Sequence, residues 1–266
     1  MPEKQLKSAG SFVDELQAGG RYTFTRAEFE ETRDRSKISA QAALRRLKKR
    51  GRIVSPRRGF FVVVPVEYRT AGCPPASWFI DDLMHFFKQR YYVSLLSSAA
   101  IHGAAHQQPM TFQVLTDSPI RQIQLARVRI EFHVSRRMDL SYAIEVQTET
   151  GSMHIATPEQ TAYDLVRYPG AAGHLSNVAT VMSELAEKLN PEVLLKLAAF
   201  FKLSDVQRLG YLLDLVNQNA LVDPLSIWLN KRRYRPVLLR VGVGAKSKRA
   251  DNRWRVVPNE VLELDL

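Results

Sequence analysis

Residues 39–64 read SAQAALRRLKKRGRIVSPRRGFFVVV, and this stretch decides the fold of the N-terminal part. Ser39 can accept an orphan amide at a helix start, and Gly51 suits the left-handed residue that ends one. Between them Ala40 to Arg50 reads as a helix. Arg52 to Ser55 and Phe60 to Val64 are β-rich runs around Pro56-Arg57-Arg58-Gly59, which reads as a hairpin with two arginines at its tip. Upstream, Phe12, Val13 and Leu16 recur at helical spacing and stop at Gly19-Gly20, giving a first helix over Ser8 to Ala18. Tyr22 to Phe24 is a short extended piece, and Thr25 with Glu28 has the capping-box spacing that opens a second helix through Thr32. Three helices with a tight turn before the last, followed by a hairpin, describe a winged helix-turn-helix.

The third helix can be examined by phase, since each residue turns about 100°. Ala40, Leu44, Leu47 and Gly51 share one face; Ala42, Arg45 and Lys49 centre the opposite one, with Gln41 and Arg46 on its flanks. An apolar stripe inward and a Gln, Arg and Lys stripe outward is what entry into a major groove requires. Arg and Gln reach base edges with paired hydrogen bonds, a small residue permits close approach, and Lys meets phosphate. The sequence therefore predicts Gln41, Ala42 and Arg45 against bases, Ser39, Arg46 and Lys49 against phosphates, and Arg57 and Arg58 in the adjacent minor groove or on the backbone. A merely solvated basic helix would be the blander account of the same charges.

The charge distribution agrees. The 266 residues carry 38 Lys and Arg against 27 Asp and Glu, a formal +11. Residues 1–66 hold 15 basic and 7 acidic side chains, 67–230 hold 13 and 16, and 231–255 hold 10 and 1. Cations clustered at two ends of a near-neutral chain are expected of a protein that meets a polyanion. Hydrophobic residues at 45% and aromatics at 9% indicate a globular fold. No stretch is long and apolar enough to span a membrane and the first residues lack a signal-peptide core, so a soluble cytoplasmic protein is expected. The single Cys73 excludes an internal disulfide and a cysteine zinc finger, and is expected to be inert.

Beyond the winged helix, residues 67–76 carry the breakers of a linker, and 77–266 read as a larger mixed α/β domain with a helical bundle portion, the whole being α+β. Helices are expected at Ser77 to Lys88 and Tyr92 to His102, then strands at Phe112 to Thr116, Ile120 to Leu125, Val128 to Val134 and Ala143 to Val146. Thr157-Pro158 with Gln160 opens a helix, and helical patterns run from there to about residue 217.

Signals for catalysis are weak. His102 and His106 lie four apart, but Gly103 stands where a zincin has its glutamate, and packing or turn histidines explain them. Asp81 and Asp82, adjacent on a helix, point about 100° apart. No phosphate loop, dinucleotide fingerprint or nuclease acid set is present in the sequence. Neither metal nor cofactor nor catalytic residue is expected. The basic segment 231–255 interleaves Lys231, Arg232, Arg233, Arg235, Lys246, Lys248, Arg249, Arg253 and Arg255 with Tyr234 and Trp254. That mixture suits backbone contact and stacking on nucleic acid, and equally an acidic protein partner. Alternatively, Arg253 to Val257 closes a sheet with Trp254 buried.

Taken in order, these motifs resemble the AbiEi antitoxins of type IV, abortive-infection toxin-antitoxin systems. The resemblance runs through Ser39 to Leu47 and the Gly51 to Phe61 wing, then Tyr91 to His106, Thr157 to Val166 and Asn252 to Val257. It implies a repressor that recognises inverted repeats in its own promoter and also neutralises a toxin with a nucleotidyltransferase fold. Inverted repeats imply two copies, a monomer or weak dimer pairing on DNA. Two other classes are weighed beside it: an interaction module that binds the toxin directly with DNA binding secondary, and an enzyme acting on nucleic acid.

Overall fold

The computed structural model describes residues 8–32, 36–104, 109–136, 138–244 and 249–263. Its contacts divide the chain into two compact units. One comprises residues up to Tyr91 together with Met110–Arg136 and Glu145–His154; the other comprises Tyr92–Pro109, Arg137–Ile144 and Ile155 onward. These units do not follow the 67–76 boundary read from the sequence, because strands from the middle of the chain belong with the N-terminal residues.

The first unit opens with α1 (Ala9–Ala18), β1 (Thr23–Thr25), α2 (Arg26–Glu31), α3 (Lys37–Lys49), β2 (Ile53–Arg57) and β3 (Phe60–Val63). β3 lies between β1 and β2 and is antiparallel to both, with Phe24 opposite Phe61 and Ile53 opposite Val63. Phe12 meets Phe24 and Phe29 edge-on at 5.2 and 5.1 Å, and Phe24 stacks on Phe61 at 5.2 Å. Ala40, Ala43, Leu44 and Leu47 of α3 complete this core.

The stretch expected as a linker is packed. Trp78 sits edge-on to Tyr22 at 4.9 Å and to Tyr68 at 5.1 Å, and Cys73 is buried, which pushes its thiol up to about 12. The helix expected at Ser77 is shorter, α4 (Ile80–Phe87), entered by a 3-10 turn at Ala76–Trp78. Phe86 lies 5.3 Å from Phe60, and Thr23 donates to Asp82.

Tyr91, expected to lie just before a helix, begins the strand β4 (Tyr91–Val93), and helix α5 is confined to Leu95–Ile101. Two aromatics and a valine favour extended backbone, and Ser94 is fully extended before the helix starts. Next come β5 (Phe112–Thr116), β6 (Ile123–Leu125) and β7 (Val128–Val134). β7 runs parallel to β5 and antiparallel to β6, so the sheet is mixed. β6 packs against β2. β8 (Ala143–Thr148) is followed by β9 (Gly151–Ala156), a strand that the sequence did not announce.

In the second unit Val93 pairs with Ile155 in parallel. Five helices follow: α6 (Pro158–Arg167), α7 (His174–Leu185), α8 (Pro191–Ala198), α9 (Leu203–Leu215) and α10 (Asn219–Asn230), the last beyond the expected end near 217 and with Pro224 inside it. α6 is buried from Glu159 to Val166 and packs against α5, α7, α8 and α9. Most of its buried polar groups find partners, the Asp164 Oδ1 oxygen being an exception. Asp164, without exposure, accepts from Tyr92 at 3.1 Å, Ser94 at 2.9 Å and Gln160 at 3.1 Å. Burial, only partly offset by these donors, raises its carboxyl to about 6. Glu159 accepts the Asn190 amide at 2.8 Å, and Tyr163 donates to the Leu194 carbonyl at 3.1 Å. The short strands β10 (Val237–Leu238) and β11 (Val256–Val257) pair in parallel.

Candidate nucleic-acid interface

Helix α3 starts one turn earlier than its sequence suggests. Ser36 is the cap: its Oγ accepts the Ser39 amide at 3.4 Å, while the Ser39 Oγ donates to the Ser36 carbonyl at 3.0 Å. Two serines three residues apart both fit a cap, and the outer one holds the position. The C-terminal end is as expected. Gly51 has φ +63°, its amide donates to Lys48 at 2.9 Å, and the Arg52 amide donates to Leu47 at 3.0 Å, the doubled closure of a Schellman motif. The Thr25 cap of α2 also forms, its Oγ1 accepting the Glu28 amide at 3.2 Å. The reciprocal half of that box does not, because the Glu28 carboxylate takes Arg21 in two bonds of 2.6 and 2.9 Å.

The phase argument for α3 holds in three dimensions. Ala40, Leu44 and Leu47 are buried, joined by Ala43, while Gln41, Ala42, Arg45, Arg46 and Lys49 are all exposed. Ser39 is half-buried. Lys48 leaves this stripe: it lies 5.5 Å over the Phe61 ring, and burial lowers its ammonium. Among the described residues no acid pairs with Arg45, Arg46, Lys49 or Arg58. These guanidinium and ammonium groups are therefore offered to solvent or to an anion. The sequence reading missed one member of the face. Ile38 is 81% exposed and lies one turn before Ala42; with the helix read from Ala40, it fell outside. Placing the cap at Ser36 would have revealed it.

The wing is tighter than expected. Pairing continues to Arg57 opposite Phe60, across an irregularity between Val54 and Arg57 where Pro56 has no amide to donate. Arg58 and Gly59 (φ +92°) form the tip. Arg58 is exposed; Arg57 is half-buried, 5.7 Å over the Phe87 ring. Arg52 pairs with Asp14, fixing the base of the wing to α1.

Two family models match this chain. Residues 11–64 match the transcriptional regulator, AbiEi antitoxin, and residues 92–215 match the AbiEi antitoxin C-terminal domain. The chain belongs to the AbiEi antitoxin family. No curated protein matches it. Among solved structures it is similar to the RV2827C protein from Mycobacterium tuberculosis, with a TM-score of 0.61 and 18% identity over 94% of this chain and 90% of that one. At that identity the likeness concerns the fold.

The second basic region of this AbiEi protein is arranged differently from α3. Trp254 has no exposure and Tyr234 is buried, so neither offers a face to a base; of the readings weighed for this segment, stacking fails and the strand with Trp254 buried is the one the structure has, Val256 and Val257 pairing with Val237 and Leu238. Trp254 packs on α9 at Gly210, where a Cβ would come within 2.5 Å of the indole, and its Nε1 donates to Asp214. Arg253 binds Asp214 through Nε at 2.7 Å and through Nη2, and Asp223 through Nη1 at 2.6 Å. The hydrogen bonds to Asp214 hold its guanidinium still further above the usual arginine range. Arg255 donates to the Tyr234 carbonyl at 3.1 Å, and Arg232 to that of Trp228 at 2.6 Å. Lys231, Arg233, Arg235 and Arg249 are exposed. Lys246 and Lys248 lie outside the described residues.

The remaining candidates serve packing. His102 has Nε2 2.7 Å from the Ala156 carbonyl, which makes that nitrogen a donor; His106 lies outside the described residues. Asp81 accepts from Tyr91 at 2.8 Å and Asp82 accepts from Thr23, so the two acids serve separate partners. Among the described residues no group of three or more His, Cys, Asp or Glu could hold a metal ion, and no helix is long and apolar enough to cross a membrane.

Proposed function

We propose that this AbiEi protein is the DNA-binding, autoregulatory antitoxin of a type IV toxin-antitoxin system, repressing its own promoter through inverted repeats. The observation that carries this reading is the outward stripe of α3, directly opposite its buried face, on the helix that leads into the Arg58-tipped wing. Gln41, Ala42 and Arg45 read base edges in the major groove, and Arg46 and Lys49 meet phosphates. Ser39 reaches a phosphate only by releasing the Ser36 carbonyl. Arg57 and Arg58 contact the neighbouring minor groove or backbone. Two copies pair on the repeats, each a monomer or weak dimer when free, in the cytoplasm.

The same reading gives the protein no catalytic role and assigns the C-terminal unit to restraint of a nucleotidyltransferase-like toxin. Lys231, Arg232, Arg233, Arg235, Arg249 and Arg255, exposed and with no acid partner among the described residues, are then the cations left for a partner or for flanking DNA. Fluorescence anisotropy tests the core of the proposal, with the protein's own upstream duplex and a scrambled duplex of equal length. Selective binding that Arg45→Ala abolishes is expected. Equal, weak binding to both duplexes would reduce α3 to a basic surface.

A further inference from the structure

The exposed face of α3 is centred on an apolar residue. With Ile38 set at zero, Arg45 lies about 20° to one side, Lys49 about 20° and Ala42 about 40° to the other, whereas the buried positions fall between about 140° and 240°. Ile38 thus points away from the core as directly as any residue of the helix, and it is 81% exposed. Isolated apolar residues on a surface need no explanation. This one lies in the middle of a stripe of Gln41, Arg45, Arg46 and Lys49, on the first turn of the helix, the end that reaches base edges in helix-turn-helix proteins. A branched aliphatic side chain makes no hydrogen bond to a base or phosphate. In the major groove one base feature matches it, the C5-methyl group of thymine.

We propose that Ile38 reads a thymine, its side chain packing on the C5-methyl group in the major groove close to the base pair that Arg45 contacts. The inference rests on the base-reading role proposed for α3. Seven residues separate Ile38 from Arg45, about 10 Å along the helix, so the thymine lies within about three or four base pairs of the Arg45 contact. Ala42, one turn further on, is too short to hold water away from the methyl group by itself, and Ile38 completes that apolar patch.

The test is selection of duplexes from a randomised library by the full-length protein and by its Ile38→Ser and Arg45→Ala variants. The wild-type consensus should hold a thymine near the position whose preference Arg45→Ala erases, and Ile38→Ser should erase the preference at that thymine alone. Replacing that thymine with deoxyuridine, which removes only the methyl group, should weaken wild-type binding about fourfold, the effect of one lost methyl-sized apolar contact, and leave Ile38→Ser unchanged. A consensus that Ile38→Ser does not alter, or equal binding to thymine and deoxyuridine, overturns the role of Ile38 while leaving base reading by Arg45 intact. No consensus at all overturns both. The deoxyuridine arm uses unaltered protein, so it holds whatever the variant does to folding.

Discussion

Salt should weaken this protein's grip on its operator along a line whose slope counts the cations placed on phosphate. Each phosphate neutralised contributes about −0.9 to the slope of log K against log salt concentration, through release of condensed counterions. Arg46 and Lys49 are assigned to phosphates; with Arg57 and Arg58 also on the backbone rather than in the minor groove, one copy gives a slope of about −3.6 and an affinity loss of about 150-fold between 50 and 200 mM salt. Two copies on an inverted repeat give about −7 and a loss of about 20,000-fold. Anisotropy titrations at five salt concentrations measure this directly and report stoichiometry as well. Arg46→Ala should reduce the slope by about 0.9 per copy and weaken operator and random duplex alike, whereas Arg45→Ala should cost about 1–3 kcal/mol on the operator alone. An unchanged slope for Arg46→Ala, or an equal loss on both duplexes for Arg45→Ala, would refute the division of α3 into phosphate and base contacts.

Three further outcomes are expected in the C-terminal unit. Gly210→Ala gains helix propensity worth about 1 kcal/mol but drives a methyl group into buried Trp254, so calorimetry should show Tm falling by roughly 2–10 °C; in a Trp254→Leu background the same substitution should raise Tm. Asp164 has its carboxyl raised to about 6 by burial, against about 3.9 in an unfolded chain, so its contribution is fully favourable below pH 4 and is lost as pH rises to about 6. Denaturant unfolding at pH 4, 5, 6 and 7 should show the wild type losing up to about 3 kcal/mol over this range relative to Asp164→Asn; parallel profiles would contradict the assignment. Arg253→Ala should lower stability by about 1 kcal/mol or less, its side chain being 35% exposed, and leave the salt slope of DNA binding unchanged; a shallower slope would place Arg253 on DNA after all.

What could be read in advance was whatever is written locally. The α3 face follows from phase, its end from Gly51, and the wing from two β-rich runs around Pro56 to Gly59. Each is settled within a few residues, and the structure departs from the reading by the one turn between Ser36 and Ser39 and by the tighter wing, in which pairing runs on to Arg57. Elements defined by distant partners were harder. β9 reads Gly-Ser-Met-His-Ile-Ala, without clean alternation, and its Ile155 pairs with Val93. The Tyr91-Tyr-Val run lay beside a helical pattern that absorbed it. Pro224 marks a break by ordinary rules, yet α10 continues through it because Leu221, Val222, Leu225 and Leu229 are buried on one face. In each case tertiary burial outweighed local preference.

The same distinction explains why one basic region reads as an interface and the other only in part. A sequence counts cations, but availability depends on where their acids lie. On α3 the last two turns hold Arg45, Arg46, Lys49 and Arg50 with no acid among them, so the charge pattern itself shows that these groups have no partner on their own helix. In 231–255 the charge density is comparable, but the acids that neutralise Arg253 are 39 and 30 residues upstream, on α9 and α10. Trp254, which looked like a stacking platform, reaches Asp214 on the same α9 face. Arg253 and Trp254 together fasten the C-terminal strand to the bundle, and Arg240 pairs with Glu260, so among the described residues the cations there without an acid partner are Lys231, Arg232, Arg233, Arg235, Arg249 and Arg255, of which Arg232 and Arg255 each already give one N–H to a backbone carbonyl. A net charge of +9 over that segment therefore overstates its reach toward DNA, whereas the eleven residues from Ile38 to Lys48 and the following Lys49 understate theirs, because the apolar Ile38 at the centre of the face adds no charge at all.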